Sequence, residues 1–217
     1  MTKEHYQIEP ETPGIVIGNT TPKYTSKNPA IRWLTERWVA SLEQVFDRID
    51  RDPQGAPKRA LEVGCGEGVI AGKLYDRFDE VVALDLPDAG LRREWKAFQG
   101  PRFLHADAHV LPFEDRQFDL VVAVEVLEHL TDPIKGLREM ARVGRRHLVL
   151  SVPREPIFRG CNLVAGRYVK DLGNTPGHLN HWSKRGFMRL VSSVATIREV
   201  ATPFPWTTVW AELPGVG

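Results

Sequence analysis

Leu61-Glu62-Val63-Gly64-Cys65-Gly66-Glu67-Gly68 joins an apolar run to three glycines at alternate positions, and a stretch of helical pattern follows. With Arg59 to Val63 as a buried strand and Gly68 to Phe78 as the next helix, the glycines form a strand-to-helix turn. Such a turn has two physical uses. It can make a corner that side chains would obstruct, or it can let a ligand approach bare backbone and meet free N–H groups at the helix start. The turn alone does not choose between them.

Outward from the turn, apolar runs alternate with helical stretches. The runs are Arg59 to Val63, Val81 to Asp85, Phe103 to Ala106, Phe118 to Val124 and His147 to Val152. They are rich in Val and Leu and polar mainly at their ends, the pattern of strands buried on both faces in a parallel sheet covered by helices. The fold class is therefore α/β. Between the fourth and fifth runs, Thr131 or Asp132 caps a helix that Pro133 begins, that Ile134, Leu137 and Met140 stripe, and that Gly144 ends. Two late runs, Thr196 to Ala201 and Thr207 to Leu213, are separated only by Thr202 to Trp206. That gap is too short for a helical crossover, so it predicts an antiparallel hairpin at the sheet edge.

Upstream, residues 1–27 carry Thr, Pro, Gly and charge without a sustained period and read as an irregular arm. Asn28 then caps a helix with Pro29 at its first position, and Ile31, Leu34, Trp38, Leu42, Val45, Phe46 and Ile49 recur at helical spacing. Residues 1–57 form an arm and cap helix, and residues 58–217 the main domain. In that domain Pro153 to Asn180 holds prolines and glycines in a stretch too long for an ordinary loop, so 153–182 is expected to be an insertion on the acceptor side of the sheet. Ser183 caps a later helix carrying Phe187, Leu190 and Val191.

The totals exclude several classes. With 29 basic and 28 acidic side chains in 217 residues, nothing global draws a polyanion such as nucleic acid. Two cysteines, Cys65 and Cys161, share no metal-ligand spacing and read as unpaired thiols. The first residues lack the apolar core of a signal peptide, and no apolar run reaches about 18 residues. A cytoplasmic protein is expected.

In an open α/β sheet, ligands bind beyond the carboxyl ends of the strands. Acidic residues stand there: Asp85 after the second strand, Asp107 after the third, Glu125 after the fourth. Asp85 follows Gly64 by 21 positions, a spacing that suits a ribose diol as well as a helix cap. A nicotinamide dinucleotide would require glycine where Val69 stands. Glu62, beside the turn, suits a cation better than a pyrophosphate.

These stretches resemble the class I S-adenosylmethionine-dependent methyltransferases, particularly the small-molecule group with the ubiquinone and menaquinone methyltransferases. The matching pieces, in order, are Leu61 to Gly68, Ala83-Leu84-Asp85-Leu86, Ala106-Asp107-Ala108 with Leu111-Pro112-Phe113, Phe118-Asp119-Leu120-Val121, and Glu125-Val126-Leu127-Glu128-His129-Leu130. The resemblance implies a Rossmann-like, mostly parallel seven-stranded sheet with helices on both faces. It implies that Glu62 and the Gly64-Cys65-Gly66 backbone face the methionine part of the cofactor and that Asp85 faces the ribose. Leu86 would lie against the adenine, Asp107 and Ala108 at its amino edge, and Glu125 near the sulfonium. S-Adenosylhomocysteine is the implied product.

Methyl transfer needs an aligned nucleophile and, where the acceptor is protonated, a base. The base candidates are His181, His178 and His129, in that order, each of which also reads as a capping or packing histidine. Glu125, Glu128 and His129 at i, i+3 and i+4 would share a helical face, and with His178 they raise the question of a divalent metal. No metal is assigned, because the same string occurs without one. Arg154, Arg159, Arg167 and Lys170, with Arg142, Arg145 and Arg146, suit either an acidic or lipid-like acceptor or a solvated face. The expected activity is methylation of a small molecule, oxygen favoured. The rival readings are metal-dependent methylation of an RNA end and a non-catalytic protein that binds the cofactor.

Overall fold

The structure is a computed structural model that describes residues 23–24, 26–52, 58–96 and 98–215. Most of the arm read over 1–27 lies outside them. In chain order the described residues form α1 (Pro29–Ile49), β1 (Arg59–Val63), α2 (Val69–Tyr75), β2 (Glu80–Asp85), α3 (Ala89–Trp95), β3 (Arg102–His105), β4 (Phe118–Val124), α4 (Pro133–Val143), β5 (Gly144–Pro153), α5 (Ile157–Val164), α6 (Lys184–Val191), β6 (Thr196–Ala201) and β7 (Trp206–Glu212). They build one sheet in the order β3-β2-β1-β4-β5-β7-β6. β1, β2, β3, β4 and β5 run parallel, whereas β7 is antiparallel to both neighbours and leaves β6 at the edge. The short gap before β7 thus does form an antiparallel pair.

Alternation along the central strands explains why helices cover both faces. From β4, Phe118, Val121 and Ala123 enter one core, packed by Leu137 and Met140 of α4 and Phe187 and Val191 of α6. Leu120, Val122 and Val124 enter the other, packed by Trp38, Leu42 and Phe46 of α1 and Ile70 and Leu74 of α2. Every residue of β4 is buried. Asn28 caps α1, its Oδ1 accepting from the Ala30 N–H at 2.9 Å, and Asp132 rather than Thr131 caps α4 through the Lys135 N–H at 2.9 Å. Gly144 ends α4 for a packing reason: its backbone is extended, and a Cβ there would lie 2.4 Å from Leu213 Cδ1.

Two features place the site. The chain leaves β1 toward β2 on one side and returns to β4 on the other, so a crevice opens above the carboxyl ends of β1 and β4. The chain after β5 closes that crevice from one side: Arg154 and Trp182 bridge at its base, and α5 lies between them in sequence.

Candidate functional site

The glycine turn is tied down by its neighbour strand. The Gly64 and Cys65 N–H groups both donate to the Leu84 carbonyl, at 2.8 and 2.9 Å, which draws the turn over the end of β2. Gly64 has φ +71°, and a Cβ there would lie 2.3 Å from Val126 Cγ2, so both conformation and space require glycine. Much of the turn's own N–H supply is taken: Gly66 N–H donates to Asp85 Oδ2 at 2.7 Å and Gly68 N–H to the Cys65 carbonyl at 2.9 Å. The glycines leave room for a ligand to approach closely. Trp95 Nε1–H donates to the Gly66 carbonyl at 2.8 Å and fixes the turn's outer side.

Above this turn lies a cavity of about 820 Å³. Among the described residues seven carboxylates line it, from Glu62, Glu67, Asp85, Asp88, Glu94, Asp107 and Glu125, against Lys23 and Arg167 as the lysine and arginine. Glu62 is 2% exposed, and its Oε2 has no partner. Burial, with Asp85 adding repulsion, pushes its carboxyl well above the usual range. Burial also raises Asp85, against the Gly66 and Leu86 N–H groups that donate to it. Such groups cost folding free energy that a ligand bringing N–H donors or positive charge would recover. Gly64, Cys65, Gly66, Leu86 and Ala108 line the same cavity. Asp107 stands at its more open side. Burial works against its charge, yet the backbone and ring N–H groups of His109 hold its carboxyl below the ordinary range.

Glu125 ends β4 with φ +61° and turns its side chain into the cavity wall. Its Oε2 meets Lys23 Nζ at 3.3 Å and its Oε1 has no partner. Residues Leu127–His129 form a 3₁₀ turn, so Glu125 and Glu128 do not share the helical face that their spacing suggested. Glu128 lies behind the wall, 1% exposed with neither oxygen partnered, and burial beside Glu125 raises its carboxyl well above the usual range. Glu128, His129 and His178 bring ligand-type atoms within 4.8 Å of one another, which is the donor set a cation could use.

The three candidate histidines separate. His129 and His178 line the cavity with ring centroids 4.9 Å apart. His181 does not line it: the residue is exposed, and its Nε2 is 2.6 Å from Asn174 Oδ1. The first-ranked base therefore stands outside the cavity because the chain turns away after Asn180, whose amide is held by the Leu130 carbonyl at 2.7 Å. His129 Nδ1 lies 2.9 Å from the Gly177 carbonyl, which can only accept, so Nδ1 carries the hydrogen and Nε2 keeps a lone pair. Burial lowers the His129 pKa and pushes His178 down to about 3, so both rings are neutral at neutral pH.

The basic residues do not gather around the cavity as an acidic acceptor would need. Arg142 pairs with Glu139 and Asp115, Arg145 with Asp119, and Arg146 with Asp52. Arg159 and Lys170 border a separate surface depression, leaving Arg167 as the one insertion arginine on the cavity wall. Sequence reading missed Lys23, Tyr24, His109 and Trp206 on the cavity wall. Lys23 and Tyr24 belong to the arm, where no period marks them, and a single aromatic in a helix or strand carries no sign that it faces a ligand.

Residues 61–150 match a family model described as a methyltransferase domain. The chain is 29% identical over 162 residues to a probable S-adenosylmethionine-dependent methyltransferase of Mycobacterium tuberculosis, covering 69% of this chain and 58% of that relative. It thus spans little more than half the length of that protein. A demethylmenaquinone methyltransferase of Renibacterium salmoninarum is 29% identical over 172 residues, covering 78% and 70%. The fold matches magnesium protoporphyrin IX methyltransferase from Synechocystis, solved with S-adenosylhomocysteine, at TM-score 0.65 and 16% identity over 88% of this chain and 91% of that one. The motif order, the sheet order and these likenesses agree: residues 61–150 match a methyltransferase domain, and the chain is similar over most of its length to S-adenosylmethionine-dependent methyltransferases.

Proposed function

We propose that the chain binds S-adenosylmethionine in the carboxylate-lined cavity and transfers its methyl group to a small molecule. The observation that carries this reading is Glu62, buried at the end of β1 with one oxygen unpartnered in a cavity that seven carboxylates line. When bound, the cofactor supplies a methyl group on a sulfonium cation. Glu62 would accept from the ammonium of its methionine part, Asp85 from the ribose hydroxyls, and Asp107 and Ala108 would meet the adenine edge with Leu86 against its face. Gly64 and Gly66 keep the wall low enough for that approach. Glu125 stands where positive charge is to be held, and His129 Nε2 or His178 takes a proton from the acceptor if it carries one.

The cavity size supports a small acceptor, since about 820 Å³ exceeds what one nucleoside-sized ligand fills. The likeness to a demethylmenaquinone methyltransferase agrees with a small-molecule class. The acidic lining opposes an RNA end, whose phosphates it would repel. Calorimetric titration with S-adenosylmethionine tests the cofactor half, with one site per chain expected. Methyl transfer from labelled cofactor into a cell extract tests the other half. Binding without labelled product would favour a binding protein that has no transfer activity.

A further inference from the structure

Lys23 places an ammonium group in the cavity wall beside Glu125. Its Nζ is 3.3 Å from Glu125 Oε2 and 4.8 Å above the Trp38 ring, with the Tyr24 ring 5.7 Å away. The aromatic wall continues beyond it: Trp38 stacks on Trp206 at 4.8 Å, and Phe158 bridges from Trp206 at 6.1 Å to His178 at 5.8 Å. Aromatic faces around a carboxylate are the standard surroundings of an alkylammonium ion, attracted by the ring quadrupoles and by the charge together.

Glu128 lies behind the wall, so this place is set by Glu125 and by the Trp38 and Tyr24 faces, with the His129 and His178 rings farther along the same cavity. It supplies negative charge and ring faces, and the arm side chain occupies it.

We propose that the methyl acceptor is an amine, that its ammonium form takes the position Lys23 now holds between Glu125 and the Trp38 face, and that Lys23 withdraws to admit it. This rests on the methyl-transfer reading above and names the acceptor class for it. The balance is simple. The ammonium first loses one proton to water, the freed nitrogen lone pair forms the new N–CH₃ bond, and the S–CH₃ bond breaks with its electron pair staying on sulfur. The products are a methylated ammonium ion, the neutral thioether and the released proton. A hydroxyl acceptor would bring no charge to Glu125 and the ring faces, and a carboxylate acceptor would add charge of the wrong sign.

The test uses n-butylammonium, which reproduces the end of the lysine side chain, and n-butanol as its neutral counterpart. Each is titrated into the full chain with and without saturating S-adenosylhomocysteine, so that the cation site reports whether or not the cofactor product binds. Lys23→Ala is expected to bind n-butylammonium roughly tenfold tighter than the wild type, whose own lysine competes, and to ignore n-butanol. Lys23→Arg retains a competing cation and should bind as weakly as the wild type. In the labelled-methyl assay, product is expected in species that stay cationic at pH 7. Equal affinity of Lys23→Ala for the two probes, or label only in neutral and acidic products, would overturn the proposal. So would micromolar Mn²⁺ binding that excludes n-butylammonium and is lost in Glu128→Gln, which would give the site to a metal. Failure of S-adenosylhomocysteine to bind while n-butylammonium binds would instead strike the underlying methyl-transfer reading.

Discussion

The two ends of the sheet treat the same side chain in opposite ways. At the amino ends of the strands, Asp119 is 3% exposed and accepts from the Lys58 N–H at 2.9 Å, the Arg59 N–H at 3.1 Å and the Arg145 guanidinium. Asp52 likewise meets Arg146 at 2.8 Å and His147 at 2.9 Å. At the carboxyl ends, Glu62 and Glu128 are as deeply placed and Glu125 is half-buried, and all three keep unpartnered oxygens. Burial costs a carboxylate about the same at either end, and only one end repays it within the chain. The lower end is built for stability, and the upper end holds charge in reserve for a cation that arrives from outside.

That contrast can be broken by experiment, beginning with its largest expected effect. Asp119→Ala leaves two backbone N–H groups and an arginine without their acceptor and should cost roughly 3 kcal/mol of unfolding free energy. Denaturant titration checks this, and S-adenosylmethionine affinity should change by no more than about twofold. A variant that loses cofactor binding but keeps its stability would dissolve the distinction between the ends. Asp85→Ala should weaken S-adenosylmethionine by about 2 kcal/mol, the worth of a charge-assisted hydrogen bond, as read by calorimetry. Unchanged affinity would remove Asp85 from the ribose role and leave it as the anchor of Gly66.

A smaller effect concerns pH. His129, His147 and His178 all have pKa values lowered by burial, so the unfolded chain binds protons that the folded one refuses. These histidines therefore pull stability down as pH drops below about 6.5, by up to about 1.4 kcal/mol per pH unit for each that stays neutral. The raised carboxyls of Glu62 and Glu128 act the other way, so the test is the difference between wild type and variant. Thermal melts between pH 8 and pH 5 check it. His147→Gln should flatten the slope and leave methyl transfer intact, whereas His178→Gln should flatten it and slow transfer. If His147→Gln slowed transfer to the same extent, the lower end would not be separate from the chemistry.

The sequence made the strands and their ends legible because both are local. Buried strands such as Phe118 to Val124 read as continuous apolar runs, and the residue after each run falls at the sheet's carboxyl edge by construction. Glu62, Asp85 and Glu125 could therefore be placed in one crevice before any coordinates. What stayed hidden depends on where a chain goes once the period stops. His181 is three residues from His178 and points elsewhere, and Lys23 reaches Glu125 across 102 positions from an arm without pattern. The excess of basic residues was real in composition, but Arg142, Arg145 and Arg146 are spent on carboxylates elsewhere and Arg159 and Lys170 border another depression, a distinction that counting cannot make. Hydrogen-bond supply is equally invisible: N–H groups of the glycine turn were already claimed by the Leu84 and Cys65 carbonyls and by Asp85.

The most direct test is a pair of melting curves for the wild type and Glu62→Gln, without and with saturating S-adenosylmethionine. Because burial raises the Glu62 pKa, its charge penalises folding at every pH above its ordinary range, and the penalty grows with pH until the folded carboxyl also ionises. At pH 8 the free glutamine variant should therefore be the more stable protein, by about 1 kcal/mol. With the cofactor present the order should reverse, because only the wild type gains the full binding energy. A variant that stays above or below the wild type under both conditions would contradict the claim that this carboxylate is held unpaired for the cofactor.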